Sequence, residues 1–563
     1  MMTFDIREIP FSVRGSWLNL SPVVALHTST DAVHLVSHKN GMHGVLALRP
    51  ERDGVAVDTE WTARPGRFEW RRSEGGGIAA TFDGTCVLRL KGDGLGLRLA
   101  DAAAGLTPFT GTYLYTDPVD GAAVFTSYET GRRYRVTPLQ GAMSLAGSEA
   151  LGVAERAVVL GGDGEPWEAA VEEMTSAAEP YRSARTFDDV VADTEANFTG
   201  YLQAVAPWRD ERTPAAELAA YVLWSATVAP EGLVVRESVL MSKHWMDKLW
   251  SWDHCFNALA LAPGVPDAAL DQFLAPFDHQ DATGALPDSI THSEVLYNYV
   301  KPPIHGWAFR RLRSTLGRDL TTAELEQVYE RLERWSGFWL ERRRRPGHAL
   351  PYYQHGNDSG WDNATTFDHD RVIESPDLAG FLLLQLEVLA DLADELGQPS
   401  GDWKSARDRL LEALLDELWT GSEFVARGAL SGRASTATSL LNLLPLVLGE
   451  RLPQRLRATL AERLTEHLTD YGPATEPVTS PHYEDDGYWR GPIWAPSTAL
   501  IEDGLRSSGF TELADTVRER FLRLCERSGF AENFDARTGA GLRDRAYTWT
   551  AAVYLLFARD ALA

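Results

Sequence analysis

The hydrophobic pattern changes period near residue 166, and that change constrains the fold more than any other feature of the chain. From about Phe11 to Leu160, apolar and polar residues alternate in short runs broken by Gly, Asp and Asn. Examples are Ala32-Val33-His34-Leu35-Val36-Ser37, Gly66-Arg67-Phe68-Glu69-Trp70-Arg71 and Cys86-Val87-Leu88-Arg89-Leu90. Residues two apart share a face on a strand, so this alternation with frequent turn residues predicts antiparallel strands packed as a β-sandwich. Lys91-Gly92-Asp93-Gly94-Leu95-Gly96-Leu97 superficially resembles a dinucleotide loop. It lies between two strand patterns and opens no helix, so a hairpin turn is expected in place of a phosphate cradle.

After Glu165-Pro166-Trp167 the pattern turns helical, with a partly exposed connector through Ala169 to about Gln203. Twelve helices are then predicted, near 214–229, 247–263, 266–279, 305–317, 321–345, 375–397, 401–419, 435–449, 453–470, 495–508, 511–528 and 547–561. Ser375 followed by Pro376 and Asp377 is a start signal, the hydroxyl capping and the proline filling the first turn. Leu382, Leu386 and Leu389, flanked by Phe381, Leu384 and Val388, make an apolar face wide enough for an inner helix. Twelve helices after a sandwich suggest helical hairpins closed into an (α/α)6 toroid. The expected division is a β-sandwich over 1–165, a helical linker over 166–212 and a toroid over 213–563.

At 563 residues the chain exceeds a single ordinary core. Its 80 acidic against 54 basic residues give a net charge of −26, which argues against nucleic acid or an anionic membrane as partner. No long uncharged apolar stretch occurs, and Met1-Met2-Thr3-Phe4-Asp5-Ile6-Arg7-Glu8 lacks a basic region followed by an apolar run, so a cytoplasmic, non-membrane location is expected. Cys86, Cys255 and Cys525 have neither disulfide nor zinc spacing and read as buried small residues. Zinc-protease, α/β-hydrolase and P-loop motifs do not occur. His244, His254, His279, His292, His305, His355 and His369 match no metal set, so they read as pocket or structural groups, with no metal and no cofactor expected. Arg342-Arg343-Arg344-Arg345 precedes Pro346-Gly347 and reads as cations complementing a helix C-terminus.

Four stretches set acids or an Arg beside aromatics at helix boundaries: Leu249-Trp250-Ser251-Trp252-Asp253-His254, Gly356-Asn357-Asp358-Ser359-Gly360-Trp361-Asp362-Asn363, Tyr488-Trp489-Arg490-Gly491-Pro492 and Ala531-Glu532-Asn533-Phe534-Asp535. At the ends of toroid helices they converge on one mouth, walled by loops at 280–304, 346–374 and 471–494. Acids and flat rings presented together suit a sugar, and the 18 Trp agree with that. Glycosidic cleavage needs one carboxyl to protonate the leaving oxygen and another to attack the sugar or activate water. Asp362, with Asn363 to orient it and Asp358 as its competitor, and Glu532 are the candidates.

These stretches, with Thr548-Trp549-Thr550-Ala551-Ala552, resemble in order the signatures of glycoside hydrolase family 63. That family includes α-glucosidases and mannosylglycerate and glucosylglycerate hydrolases, and is related to the trehalases of family 37. The resemblance spans roughly 215–563. It implies inverting hydrolysis with Asp362 as general acid and Glu532 as general base, their carboxyls about 6.5–9.5 Å apart to admit water. By the same resemblance Trp250, Asp253 and Arg490 hold the glycone, with Trp489 and Trp549 as aromatic walls; Trp361, also expected at the substrate, would help Asp362 stay protonated near neutrality by burying it. Departures are Asp358 where Glu is common, Lys301 before Pro302-Pro303 where Gln is common, and Thr365-Thr366-Phe367-Asp368 in place of Ser-Pro-Arg-Trp-Asp. Lys301 is expected near the entrance, where its charge would favour an acidic aglycone. The expected activity is that of an exo-acting α-glycosidase, foremost an α-glucosidase. The alternatives are a trehalase, a glucosylglycerate- or mannosylglycerate-type hydrolase, or a carbohydrate-binding protein with a dead site. The sequence leaves oligomeric state open.

Overall fold

The computed structural model describes residues 2–103, 111–128, 130–150, 154–161 and 164–562. Two compact units form: one from Met1–Gln203, Ala220–Asp247 and Thr291–Glu294, the other from Ala204–Ala219, Lys248–Ile290 and Val295–Ala563.

The first unit is a sandwich of two antiparallel sheets. One runs in the order Leu18–Ala25, Thr28–Ser37, His43–Arg52, Gly96–Asp101, Ala157–Leu160 and Met143–Ala146, with Val55–Ala56 beside His43–Arg52. The other runs Tyr113–Thr116, Ala123–Ser127, Arg132–Gln140, Trp167–Met174, Val87–Asp93, Gly77–Phe82, Arg67–Arg71 and Glu60–Arg64. The alternation works as a pleat requires. Phe68 and Trp70 are buried, while Arg67 and Arg71 flank Glu69 on the other face at 2.7 and 2.8 Å.

Three expectations fail here for physical reasons. Val87–Asp93 and Gly96–Asp101 pair in different sheets, so the glycine-rich stretch between them is a crossing between sheets and no hairpin, with Gly94 in the left-handed region at φ 69°. The helical linker expected over 166–212 begins instead with a strand, Trp167–Met174, inside the eight-stranded sheet, and the helix is Phe187–Val205. Its Glu- and Ala-rich composition favours helix, but neighbouring strands supply the cations, Arg135 reaching Glu172 at 2.6 Å, and tertiary pairing overrides propensity. The boundary at 213 also shifts, because Ala220–Asp247 belongs with the sandwich. Lys243 is buried there and donates from Nζ to Ser12 Oγ at 2.9 Å and Ser225 O at 2.8 Å. Among the cysteines, Cys86 is exposed and only Cys255 and Cys525 are buried.

The second unit is an (α/α)6 toroid. Six helices form a closed ring, each packed on the next: Asp253–Leu261, His305–Thr315, Pro376–Glu395, Leu440–Arg451, Ala495–Ser507 and Thr548–Leu562, the last returning to the first. Outer helices Pro266–Leu274, Thr322–Gly337, Gly401–Glu417, Gln454–His467 and Thr511–Ser528 lie against them. The ring helix Asp253–Leu261 is buried along its whole length, whereas Thr511–Ser528 buries one stripe, which includes Val517, Phe521 and Leu524. Thr321 and Glu324 close a capping box at the start of Thr322–Gly337. Ser375 does not cap as expected; its hydroxyl donates to Asp377, which also accepts from Tyr353 Oη at 2.9 Å. The helix predicted at 435–449 is a 3-10 helix over Leu440–Arg451, because Pro445 lacks a donor and Gly449 breaks the path at φ 55°.

Each of the first five ring helices is followed by an outer helix that returns, so the ring helices run the same way and their N-termini share one end of the toroid. The stretches singled out lie in the connections that feed those N-termini. That topology gathers them.

Candidate active site

The Asp362 loop is built on a one-turn helix, Gly356–Ser359, closed by Gly360 at φ 74°. Glycine is required there twice over: the backbone is left-handed, and a Cβ would lie 2.7 Å from Trp252 Cζ2. Asp358, the competitor of Asp362, is buried and saturated. It accepts from Arg343 Nη1 at 2.7 Å, Gln354 N at 2.8 Å and Val300 N at 3.1 Å, so it braces the loop. The arginine run is accordingly more than a helix end: Arg343 serves Asp358, and Arg345 pairs at 2.7 Å with the fully buried Glu374. Asp362 keeps partial access to solvent. Burial raises its pKa, Lys301 opposes that, and Asp288 adds to it.

Asn363 does not orient Asp362 as expected. Its amide donates to Gly487 O at 3.0 Å and accepts from Trp489 N at 3.0 Å, riveting the acid loop to the Tyr488-Trp489-Arg490 loop. Arg490 reinforces the same joint, donating from Nε to Asn363 O at 2.7 Å and pairing with Asp368. The guanidinium expected on the sugar is thus engaged in holding two loops together.

Glu532 is 3% exposed and its pKa is pushed up to about 8, by burial first and then by Asp544; Arg543 and the Tyr488 hydroxyl pull it down. Thr550 Oγ1 donates to Ala531 O at 2.7 Å, and Ile493 and Phe534 exchange backbone bonds at 2.8 and 3.0 Å, which fixes this strand to its neighbours. Tyr488 and Arg543 both have left-handed backbones, at φ 63° and 60°, and the guanidinium lies 4.9 Å over the phenol ring. A bulky residue at positive φ is strained, and strain persists only where surrounding contacts impose it. Arg543 is held by Asn533 Oδ1 at 3.0 Å and Asp486 Oδ1 at 2.6 Å. The Tyr488 phenol lies in the fields of Glu532 and Asp362, and Tyr547 in those of Glu532 and Asp253, so the three carboxyls converge. Tyr488, Tyr547 and Arg543 were not among the expected site residues. Tyr488 stood beside Trp489 in a recognised stretch, whereas Arg543 gave no signal.

The same stretches carry a stack of indoles. Trp489 is sandwiched between Trp361, 4.6 Å away, and Trp494, 4.0 Å away at 6° between planes. Trp549 meets Trp252 and Trp494 edge to face at 5.6 and 5.5 Å. Trp489 and Trp549 are 1% and 3% exposed, so the expected aromatic walls are covered rings that join four stretches. Trp250 remains partly exposed.

Lys301 is corrected in position. It is not a free charge at an entrance but a buried one, 3.0 Å from Asp288 Oδ1 and donating to Asn357 O at 2.9 Å. Burial opposes its charge, while Asp362, Asp288 and Asp253 favour it strongly enough that its pKa is raised. Asp253 opens a ring helix, is buried, and has its pKa pushed up to about 8, by burial first, with Lys301 opposing and Asp362 and Asp288 adding. Its Oδ2 is buried with no hydrogen-bond partner. Asp288 was not anticipated; nothing around it in sequence marks it.

Residues 246–550 match the family model described as "Mannosylglycerate hydrolase MGH1-like glycoside hydrolase domain", a span that holds every expected site residue from Trp250 to Trp549. The mannosylglycerate hydrolase of Rubrobacter radiotolerans is 26% identical over 400 residues, covering 54% of this chain and 89% of that protein. The glucosylglycerate hydrolase of Mycolicibacterium hassiacum is 23% identical over 408 residues, covering 54% and 91%. Among solved structures, the GH63 mannosylglycerate hydrolase of Thermus thermophilus in complex with glucose aligns with a TM-score of 0.55 at 22% identity, covering 62% of this chain and all of that one. A bacterial glucoamylase complexed with acarbose aligns with a TM-score of 0.64 at 10% identity over 99% of this chain and 94% of that one, which extends the likeness in fold to the sandwich. The chain is a glycoside hydrolase of family 63 and belongs to its mannosylglycerate hydrolase MGH1-like group.

Proposed function

We propose that the chain hydrolyses a small α-glycoside of the glucosylglycerate or mannosylglycerate type, with inversion, using Asp362 as general acid and Glu532 as general base. The observation that carries the chemistry is a pair of carboxyls, Glu532 buried and Asp362 partly exposed, that share the field of one phenol, Tyr488, beside a stack of indoles. The relatives named above favour the glycerate glycosides over an oligosaccharide α-glucosidase. Lys301 does not supply the aglycone's counter-charge, because it is already matched by Asp288 and faces two further acids. Asp253 Oδ2 and the partly exposed Trp250 hold the glycone, and Trp361, Trp489 and Trp549 act by fixing the loops.

In such a reaction Asp362 gives its proton to the leaving oxygen while Glu532 takes one from the attacking water, so the active form carries its proton on Asp362 alone. With Glu532 pushed up to about 8, that form is a minority at neutral pH, and the rate rises with pH until Asp362 loses its proton. The test is proton NMR of product anomers with glucosylglycerate, mannosylglycerate, trehalose and simple α-glucosides. Release of the β-anomer from a glycerate glycoside is expected, with Asp362→Asn and Glu532→Gln each slower by roughly 10²–10⁴-fold. First release of the α-anomer, or full activity in either variant, would overturn the mechanism. Turnover of neutral oligosaccharides alone would restore the α-glucosidase reading.

A further inference from the structure

The sandwich unit carries a groove that the hydrolytic reaction does not use. One lobe, of about 620 Å³, lies between Thr30–His34, Leu48–Pro50 and Ala56–Trp61; a second, of about 350 Å³, continues it past the hairpin tip at His27 to Trp245. The lobes share Arg7, Thr30 and Asp31, so they form one elongated depression. It lies at an open side of the sandwich, where Leu18–Ala25 and Glu60–Arg64 are the edge strands of their sheets.

A partly exposed indole stands towards each end, and each is gripped by a planar polar group. Arg7 lies 4.5 Å over the Trp61 ring with most of its side chain in solvent. His27, at the hairpin tip with a left-handed backbone at φ 50°, packs 4.9 Å from Trp245. Between the indoles the charges cancel. The lining sets Arg7 and Arg49 against Asp31 and Asp58 in equal number, Arg7 itself pairs with Asp5 at 3.4 Å, and burial disfavours the charged form of His34. Anion sites collect uncompensated cations, and apolar ligands need apolar walls. Paired aromatic rings separated by balanced, hydrogen-bonding planar groups suit a neutral polyhydroxylated chain, the rings taking C–H faces and the planar groups taking hydroxyls. Two joined lobes exceed what a single sugar ring would fill.

We propose that this groove binds a neutral oligosaccharide or the end of a neutral glucan, as a second carbohydrate site on the chain. The test uses the full chain carrying Asp362→Asn, run in native gels containing soluble starch, glycogen, dextran or a mixed-linkage β-glucan, with calorimetry against oligosaccharides of the glucan that retards it. Retardation by at least one glucan is expected. Arg7→Gln, whose side chain is exposed, and Trp245→Ala are expected to weaken that binding about ten-fold, while leaving small-glycoside turnover unchanged in the otherwise native chain. No retardation by any of the four, or retardation equal in the groove variants, would overturn the proposal. Binding is read without turnover, so retardation of the Asp362→Asn chain together with inactivity of the native chain on glycerate glycosides would sink the proposed function and leave the groove standing.

Discussion

Replacing Tyr488 by Phe removes one hydroxyl and leaves the ring, its edge-to-face contact with Trp494 at 4.9 Å and its strained backbone in place. The phenol's own pKa is raised, by burial first and then by Glu532, so it stays protonated and donates. What it donates to is the Glu532 carboxylate, and that bond lowers a pKa that burial and Asp544 have raised to about 8. A hydrogen bond to a charged group contributes about 1.5–3 kcal/mol, and one pKa unit corresponds to about 1.4 kcal/mol, so losing it raises the Glu532 pKa by roughly one to two units. The folded protein then needs a higher pH before Glu532 is ionised. At pH 7, kcat/KM is expected to fall about 10–100-fold, and the deficit is expected to shrink as pH rises through the displaced value. The assay is a pH–rate profile of wild type and Tyr488→Phe, with circular dichroism and thermal melting to confirm equal folding. A rate depressed by the same factor at every pH would refute the reasoning, since it would mean that Tyr488 binds substrate or merely packs. An unshifted profile with full activity would show that Glu532 does not depend on this bond.

Other perturbations act through separate contacts. Lys301→Gln removes the cation that holds Asp362 down, so Asp362 keeps its proton to higher pH and the alkaline limb of kcat/KM is expected to move up; movement down would contradict the assigned electrostatics. Asp358→Asn leaves Arg343 buried without its counter-ion and is expected to lose about 3–5 kcal/mol of stability in denaturant titration, while any folded fraction keeps its pH profile. Gly360→Ala forces a Cβ against Trp252 in a left-handed turn, and a loss of about 2–3 kcal/mol is expected, read from denaturant midpoints and altered tryptophan fluorescence.

The fold was legible wherever a period ran uninterrupted. Alternation marked the sandwich and a wide apolar face marked Pro376–Glu395 as inner, because burial on one face or on all faces writes itself into spacing. It failed where partners distant in sequence decided the matter. Trp167–Met174 reads as helix until Arg135 and its neighbours arrive, and Ala220–Asp247 reads as toroid until Lys243 finds Ser12. The candidate site was legible as motifs but not as roles. Asp358 and Asp362 lie four residues apart and look alike in sequence, yet Asp358 is saturated by three donors while Asp362 keeps access to solvent. Trp489 sits in the most recognisable stretch of all, and its two covered faces make it a support.

Lys301 shows why such roles escape spacing. A cation beside two prolines looks like a surface charge, and a surface charge invites an acidic ligand. Buried against Asp288 and within reach of Asp253 and Asp362, the same ammonium is a counter-ion that keeps three acids close together at one end of the toroid. Removing it therefore bears on which acid holds a proton before it bears on which aglycone is accepted, and the pH profile of Lys301→Gln separates the two. A displaced alkaline limb with unchanged preference between glycerate glycosides and neutral glucosides is the expected result; an altered preference with an unmoved limb would return Lys301 to the role of a substrate contact.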